Sequence, residues 1–162
     1  MSERIETAAL RDFSVSLCRA AGLSADDAAL LTDSILFAEC RGVTSHGLLR
    51  LPQYIARLRS GATASNVPMP FTMESGGTAR LDAQNGLGQL AGRKASDKAE
   101  ELAAEYGVSF VAVANSNHFG TGAWYAIPAA RRGFFAFNIS SAASAMAPHG
   151  AAQPLLGTDP VG

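Results

Sequence analysis

Apolar residues recur through the first sixty positions with the period of a helix. Leu10, Phe13, Leu17 and Ala20 are spaced three, four and three apart, which predicts one buried stripe. Gly22 suits the stop of that helix. Ser24 followed by Asp27 is a capping-box pattern, and Ala28, Leu31, Ile35 and Ala38 extend a second helix toward Gly42. A third helix is expected from "TSHG" onward. In it Leu48, Leu51, Ile55 and Leu58 form one stripe, while His46, Arg50, Tyr54 and Arg57 share the opposite face. Pro52 either sits in its first turn or kinks it. Residues 60–77 are rich in Gly, Ser, Thr and Pro and read as a linker.

Beyond the linker the period changes. "TARLDA" has the length of a short strand, and residues 87–106 read as a helix with Leu90, Ala95, Ala99, Leu102 and Tyr106 inward and Gly107 as its stop. "VSFVAVA" is a β-branched run suited to burial on both faces of a sheet. "TGAWYAIPAARR" predicts a shorter helix ending at Gly133, and "FFAFNIS" a second buried strand. There is no internal repeat. The fold class is therefore α/β (α+β): a helical domain over 1–62, a linker over 63–77 and an α/β domain over 78–162.

Composition narrows the function classes. With 162 residues, 48% hydrophobic and 17% charged, the chain has the make-up of one globular domain with a real core. A net charge of −1 gives no electrostatic reason to bind nucleic acid or an anionic membrane. No apolar run has membrane-spanning length, and "MSERIETAAL" lacks the apolar region of a secretory signal. Cys18 and Cys40 have no metal or redox spacing and read as packed, reduced thiols of a cytoplasmic protein.

Four stretches carry candidate chemistry. "GLGQLAG", from Gly86, satisfies the G-x-G-x-x-G/A form of a dinucleotide fingerprint. The strand before it is short and polar, and the strand after it ends in "VANSN" without an acid for a ribose, so a helix-starting turn explains the glycines better. "NSNHFGTG" places His118 between a strand and a helix, with Gly120, Thr121 and Gly122 next to it. Such a loop can cradle a phosphate at a helix start or merely cap the helix. "TSHGLLRLPQY" brings together His46, which titrates near neutrality, and Arg50, which can clamp a carboxylate through two parallel bonds. Tyr54 adds a hydroxyl and Ser45 a cap that also reaches the imidazole. A 2-oxo acid needs such a cation for its carboxylate and an acid for its carbonyl oxygen. His149, in "MAPHGA", reads as a loop residue. The three histidines lack zinc spacing, and there is no G-x-S-x-G for a serine hydrolase.

Taken together, "RGVTSHGLLRLPQYIARLRSG", "NGLGQLAG…NSNHFG" and "MAPHGAAQPLLGTDPVG" resemble, in order and spacing, the malate/L-lactate dehydrogenases of the second type. The resemblance implies a fold distinct from Rossmann, a homodimer, and reduction of 2-oxo acids or related imines with NAD or NADP. It places Ser45 and His46 at the relay and proton-donor positions and Arg50 and Tyr54 on the substrate side. His118, Phe119, Gly120, Thr121 and Gly122 match the cofactor loop, and Thr158 a substrate contact. Members differ in whether the histidine matching His46 or His118 is the acid/base, and both stay open here. No metal is implied.

The chain departs from the family pattern at Ala151, at Asp159 and in the bland "SSAASAMAP". Asp159 would add negative charge near a carboxylate substrate. Family members run to about twice this length, so the α/β domain is expected to be truncated. A second reading is accordingly a catalytically silent remnant that at most binds a nucleotide or pairs with a partner chain.

Overall fold

A computed structural model describes residues 4–142 and 144–162; Met1 to Glu3 of the opening segment and Ala143 of "SSAASAMAP" lie outside them. The chain divides into two compact units, one running to Gly120 and one from Thr121 to Gly162.

In the first unit, α1 (Thr7–Ala20) and α2 (Ala25–Glu39) pack together and are tied by the Arg11–Asp33 ion pair. Ser24 Oγ accepts the Asp27 N–H at 3.1 Å, as the capping pattern predicts. The other half of the box is replaced: the Ser24 N–H donates to Asn66 Oδ1. Ala28, Leu31, Ile35 and Ala38 are buried as expected. In α1 the inward face is rotated from its predicted position. Ser14 and Cys18 are buried, whereas Phe13 and Ala20 are exposed, because the helix presents the small residues to α2. Cys18 is a buried free thiol; Cys40, expected to be packed, is exposed.

The third helix begins later than "TSHG" suggests. Two single 3₁₀ turns, Thr44–His46 and Leu48–Arg50, precede α3 (Leu51–Arg59), with Pro52 in its first turn, where its missing N–H costs nothing. Three strands follow: β1 (Phe71–Ser75), β2 (Thr78–Asp82) and β3 (Phe110–Ala114), in the order β1-β2-β3. The expected linker thus contains β1, which pairs antiparallel with β2 across the Gly76–Gly77 turn, and Met69, which joins the core. Its Gly, Ser and Pro residues serve a hairpin rather than a tether.

Between β2 and its parallel neighbour β3 runs α4 (Gly88–Tyr106), ended by Gly107 at φ +83°. Leu90, Ala95 and Leu102 are buried, but Tyr106, in the last turn, is 49% exposed. β3 is not buried on both faces. Val111 packs on the core, while Phe110 is 62% exposed, because β3 ends the sheet and one face of it is uncovered among the described residues.

The second unit opens with α5 (Ala123–Arg131), which contains Pro128, and continues as extended chain. "FFAFNIS" forms one isolated bridge, Ile139 to Val161, instead of a buried strand, and Phe135 is 95% exposed. Asp159 Oδ1 accepts the Ala142 N–H at 2.8 Å, so its carboxylate organises local backbone. No described helix is long and apolar enough to cross a membrane.

Candidate active site

His46 and Arg50 reach the same place through the two 3₁₀ turns, and the turns are set from below. Glu39, the last residue of α2, accepts the Leu48 N–H at 2.8 Å. A Cβ at Gly47 would displace the Glu39 carboxylate and press on the Glu39 backbone, so the glycine of "SHG" lets the carboxylate sit close. His118 arrives from the loop after β3, and that loop is seated on the start of α4. A Cβ at Gly88 would strike the backbone carbonyls of Asn117 and His118, and one at Gly86 would meet Met69, Val67 and Ala83. The glycines of "GLGQLAG" therefore serve close packing, as the turn reading expects. Asn117 closes the loop: its Nδ2 donates to the carbonyl oxygens of Asn85 and Gly86, and its Oδ1 accepts from Arg57 Nη2 at 2.8 Å.

The two imidazoles that the sequence left as alternatives are neighbours. Their centroids lie 5.3 Å apart in a stacked arrangement. Each has its Nδ1 held by a hydroxyl, His46 by Ser45 Oγ at 2.9 Å and His118 by Tyr54 Oη at 2.7 Å. This leaves the two Nε2 positions for chemistry. Tyr54 is buried and turned toward His118 and Gln89, whose Nε2 donates to Tyr54 Oη at 2.7 Å. Its hydroxyl is held between these two side chains, at the wall of the cavity described below. Burial pushes the Tyr54 phenol up to about 12.

Arg50 donates from Nε to the Ser45 carbonyl at 2.7 Å and from Nη1 to Gln53 Oε1 at 3.0 Å. Its Nε edge is thereby committed, so a carboxylate must approach from the Nη2 side, not along the side-on fork. Among the described residues neither Arg50 nor Arg57 pairs with a carboxylate. Both line a cavity of about 250 Å³ together with Gln53, Tyr54, Thr63, Leu87, Asn117 and His118. Two cations without acidic partners among the described residues give its wall a positive charge.

Those charges act on the histidines. Burial and then Arg50 lower the His46 pKa. Desolvation, then Arg50, then His46, push the His118 pKa down to about 4, in a ring that keeps part of its surface open to solvent. Both shifts favour the neutral rings in the free protein.

The remaining candidates lie elsewhere. Phe119 is half-buried beside His118, and Gly120 takes φ +82°, where a Cβ would sit 3.3 Å from Ser34 Oγ and 3.6 Å from Gln89 Nε2. Thr121, Gly122 and the exposed Thr158 belong to the second unit, where a Cβ on Gly122 would lie 3.4 Å from Gly162 Cα. The glycines at which a dinucleotide cradle was sought thus face protein atoms. Sequence reasoning missed Gln89, Asn117 and Glu39 as organisers of the site. The available signal for Gln89 was one polar side chain within the apolar run Leu87, Leu90, Ala91.

Known proteins match this chain over nearly its whole length. The chain is 34% identical over 158 residues to malate dehydrogenase of Pyrococcus abyssi, covering 98% of this chain and 44% of that protein. It is 37% identical over 140 residues to L-sulfolactate dehydrogenase of Methanocaldococcus jannaschii, covering 86% and 41%. The solved malate dehydrogenase of Pyrococcus horikoshii OT3 superposes with a TM-score of 0.93 at 31% identity, over 98% of this chain and 46% of that one. The chain thus spans less than half the length of these relatives. The malate/L-lactate dehydrogenase family matches residues 5–162, and the chain belongs to that family.

Proposed function

We propose that this chain carries the acid-binding and proton-handling part of an oxidoreductase that interconverts a 2-oxo acid and a 2-hydroxy acid. The observation that carries the reading is the pair of stacked imidazoles beside Arg50, a cation without a carboxylate partner among the described residues. The family and the names of its malate and sulfolactate relatives support the same chemistry.

Arg50 holds the substrate carboxylate from its Nη2 side. That fixes the 2-oxo carbon and oxygen against the cavity wall. His118, which lines this cavity with Arg50 as His46 does not, acts in its protonated form: it gives the Nε2 proton to the forming alkoxide, returning to a neutral ring, and takes it back in the reverse direction. His46, stacked on it and held by Ser45, orients the ring. A nicotinamide cofactor, NAD or NADP, supplies or removes the hydride when bound. Substrate also loads the acid. Burial is the larger cause of the low His118 pKa and Arg50 the next, so a carboxylate on Arg50 offsets part of the depression and raises the pKa as the substrate that needs a proton arrives.

The test follows loss of NADH or NADPH absorbance with a panel of 2-oxo acids. His118→Ala should abolish turnover, His46→Ala should reduce it less, and Arg50→Ala should raise KM. Soluble, folded protein that turns over no 2-oxo acid with either cofactor would refute catalysis by this chain. The exposed Phe110 and Phe135 favour a second reading, a module that pairs with another chain. Under that reading the same protein is inactive and self-associates in sedimentation, the homodimer of the family being the assembly proposed.

A further inference from the structure

Gln89 has an environment that packing alone does not explain. It lies in the first turn of α4, 1% exposed, on the face that carries Leu90 and Ala91 into the core. Its Nε2 donates to Tyr54 Oη, but among the described residues Oε1 has no hydrogen-bond partner. A buried acceptor left without a partner is destabilising. An apolar side chain of similar shape would avoid that cost, so the amide is retained for its other end.

What that end does follows from proton counting. The Tyr54 hydroxyl has one proton. Because its oxygen accepts from Gln89, that proton is free to point at His118 Nδ1, 2.7 Å away. An Nδ1 that accepts carries no proton, so the proton of the neutral ring sits on Nε2. Reversing the amide would reverse the chain: Tyr54 would donate to Gln89, Nδ1 would have to donate to Tyr54, and Nε2 would be bare.

We propose that Gln89 is a positioning residue which, through the Tyr54 hydroxyl, holds resting His118 as the Nε2–H tautomer. The neutral ring then presents an N–H to the cavity, ready to hydrogen-bond the carbonyl oxygen of a 2-oxo acid before protonation. The catalytic consequence rests on the oxidoreductase reading above; the tautomer does not.

The decisive measurement is the ¹⁵N spectrum of the histidine rings in the full chain near neutral pH, where the protonated and bare nitrogens of His118 are resolved. The wild type should show a protonated Nε2 and a bare Nδ1. Gln89→Met and Tyr54→Phe should each move His118 toward a mixture of tautomers. Gln89→Met should do so with thermal stability unchanged or raised, since it removes the orphan acceptor. Gln89→Leu gives a second apolar variant if Met fails to fold. In the active enzyme kcat should fall by about tenfold, on the scale of other groups that orient an imidazole from behind, with KM little changed. A wild-type Nδ1–H tautomer, or a His118 spectrum that does not respond to Gln89→Met, would overturn the proposal. A wild type with the Nε2–H signature that responds to Gln89→Met but shows no turnover would sustain it and count against the oxidoreductase reading alone.

Discussion

Arg50 is the proposed anchor of the substrate carboxylate, and it also acts on the site as a field. Its charge lowers both histidines, so removing it should raise the His118 pKa from about 4 even with no substrate present. A titration of His118 by NMR in Arg50→Ala checks this; a midpoint that stays where it was would mean that burial alone sets the ring. The same variant should raise KM for a 2-oxo acid by about one to two orders of magnitude, the scale of a charge-assisted hydrogen bond. At this scale much was legible in the sequence. His46, Arg50 and Tyr54 recur at four-residue steps, and His118 stands out in its loop. Gln89 was not legible, because its partner Tyr54 lies 35 residues away and its own neighbours read as a glycine turn.

The start of α4 and the loop after β3 are held together by backbone contact, with glycines as the joint. Gly88→Ala should force the Asn117 and His118 carbonyls away, destabilising the protein by about 1–3 kcal/mol and dragging His118 off Tyr54. Urea denaturation and activity measured on the same preparation test both parts; an unchanged midpoint would show that the loop yields freely. Helices α2 and α4 were visible beforehand because apolar spacing and caps agree in them. β1 was hidden because a short hairpin uses the same Gly, Ser and Pro residues as a flexible tether. The inward face of α1 was misplaced because close packing favoured Ser14 and Cys18 over the larger Phe13. "FFAFNIS" misled for another reason: apolarity marks a strand only where partner strands complete it, and here it meets a single bridge.

For the whole molecule, neutral histidines imply a stability that depends on acid. An unfolded histidine takes up its proton near pH ~6.5, whereas folded His118 does so only near 4 and folded His46 below its ordinary value. Between those limits the unfolded chain binds more protons, so stability rises with pH through this window and levels off above it. The urea midpoint should therefore be lower at about pH 5 than at about pH 7.5. His118→Asn should shrink the difference; a difference of the same size in that variant would assign the acid sensitivity to other groups. The order of helical segment and sheet was legible from the change of period. The exposed faces of β3 and of the second unit were not, since a hydrophobic run does not say whether anything covers it. The bond from Tyr54 to His118 has a kinetic meaning as well. It spans 64 residues, so it can form only after a long segment of chain has closed on itself, a loss of freedom that early local structure cannot offset. The helices can form early, but the Tyr54–His118 contact exists only once β3 has docked, and the His118 tautomer is therefore also a late reporter of folding.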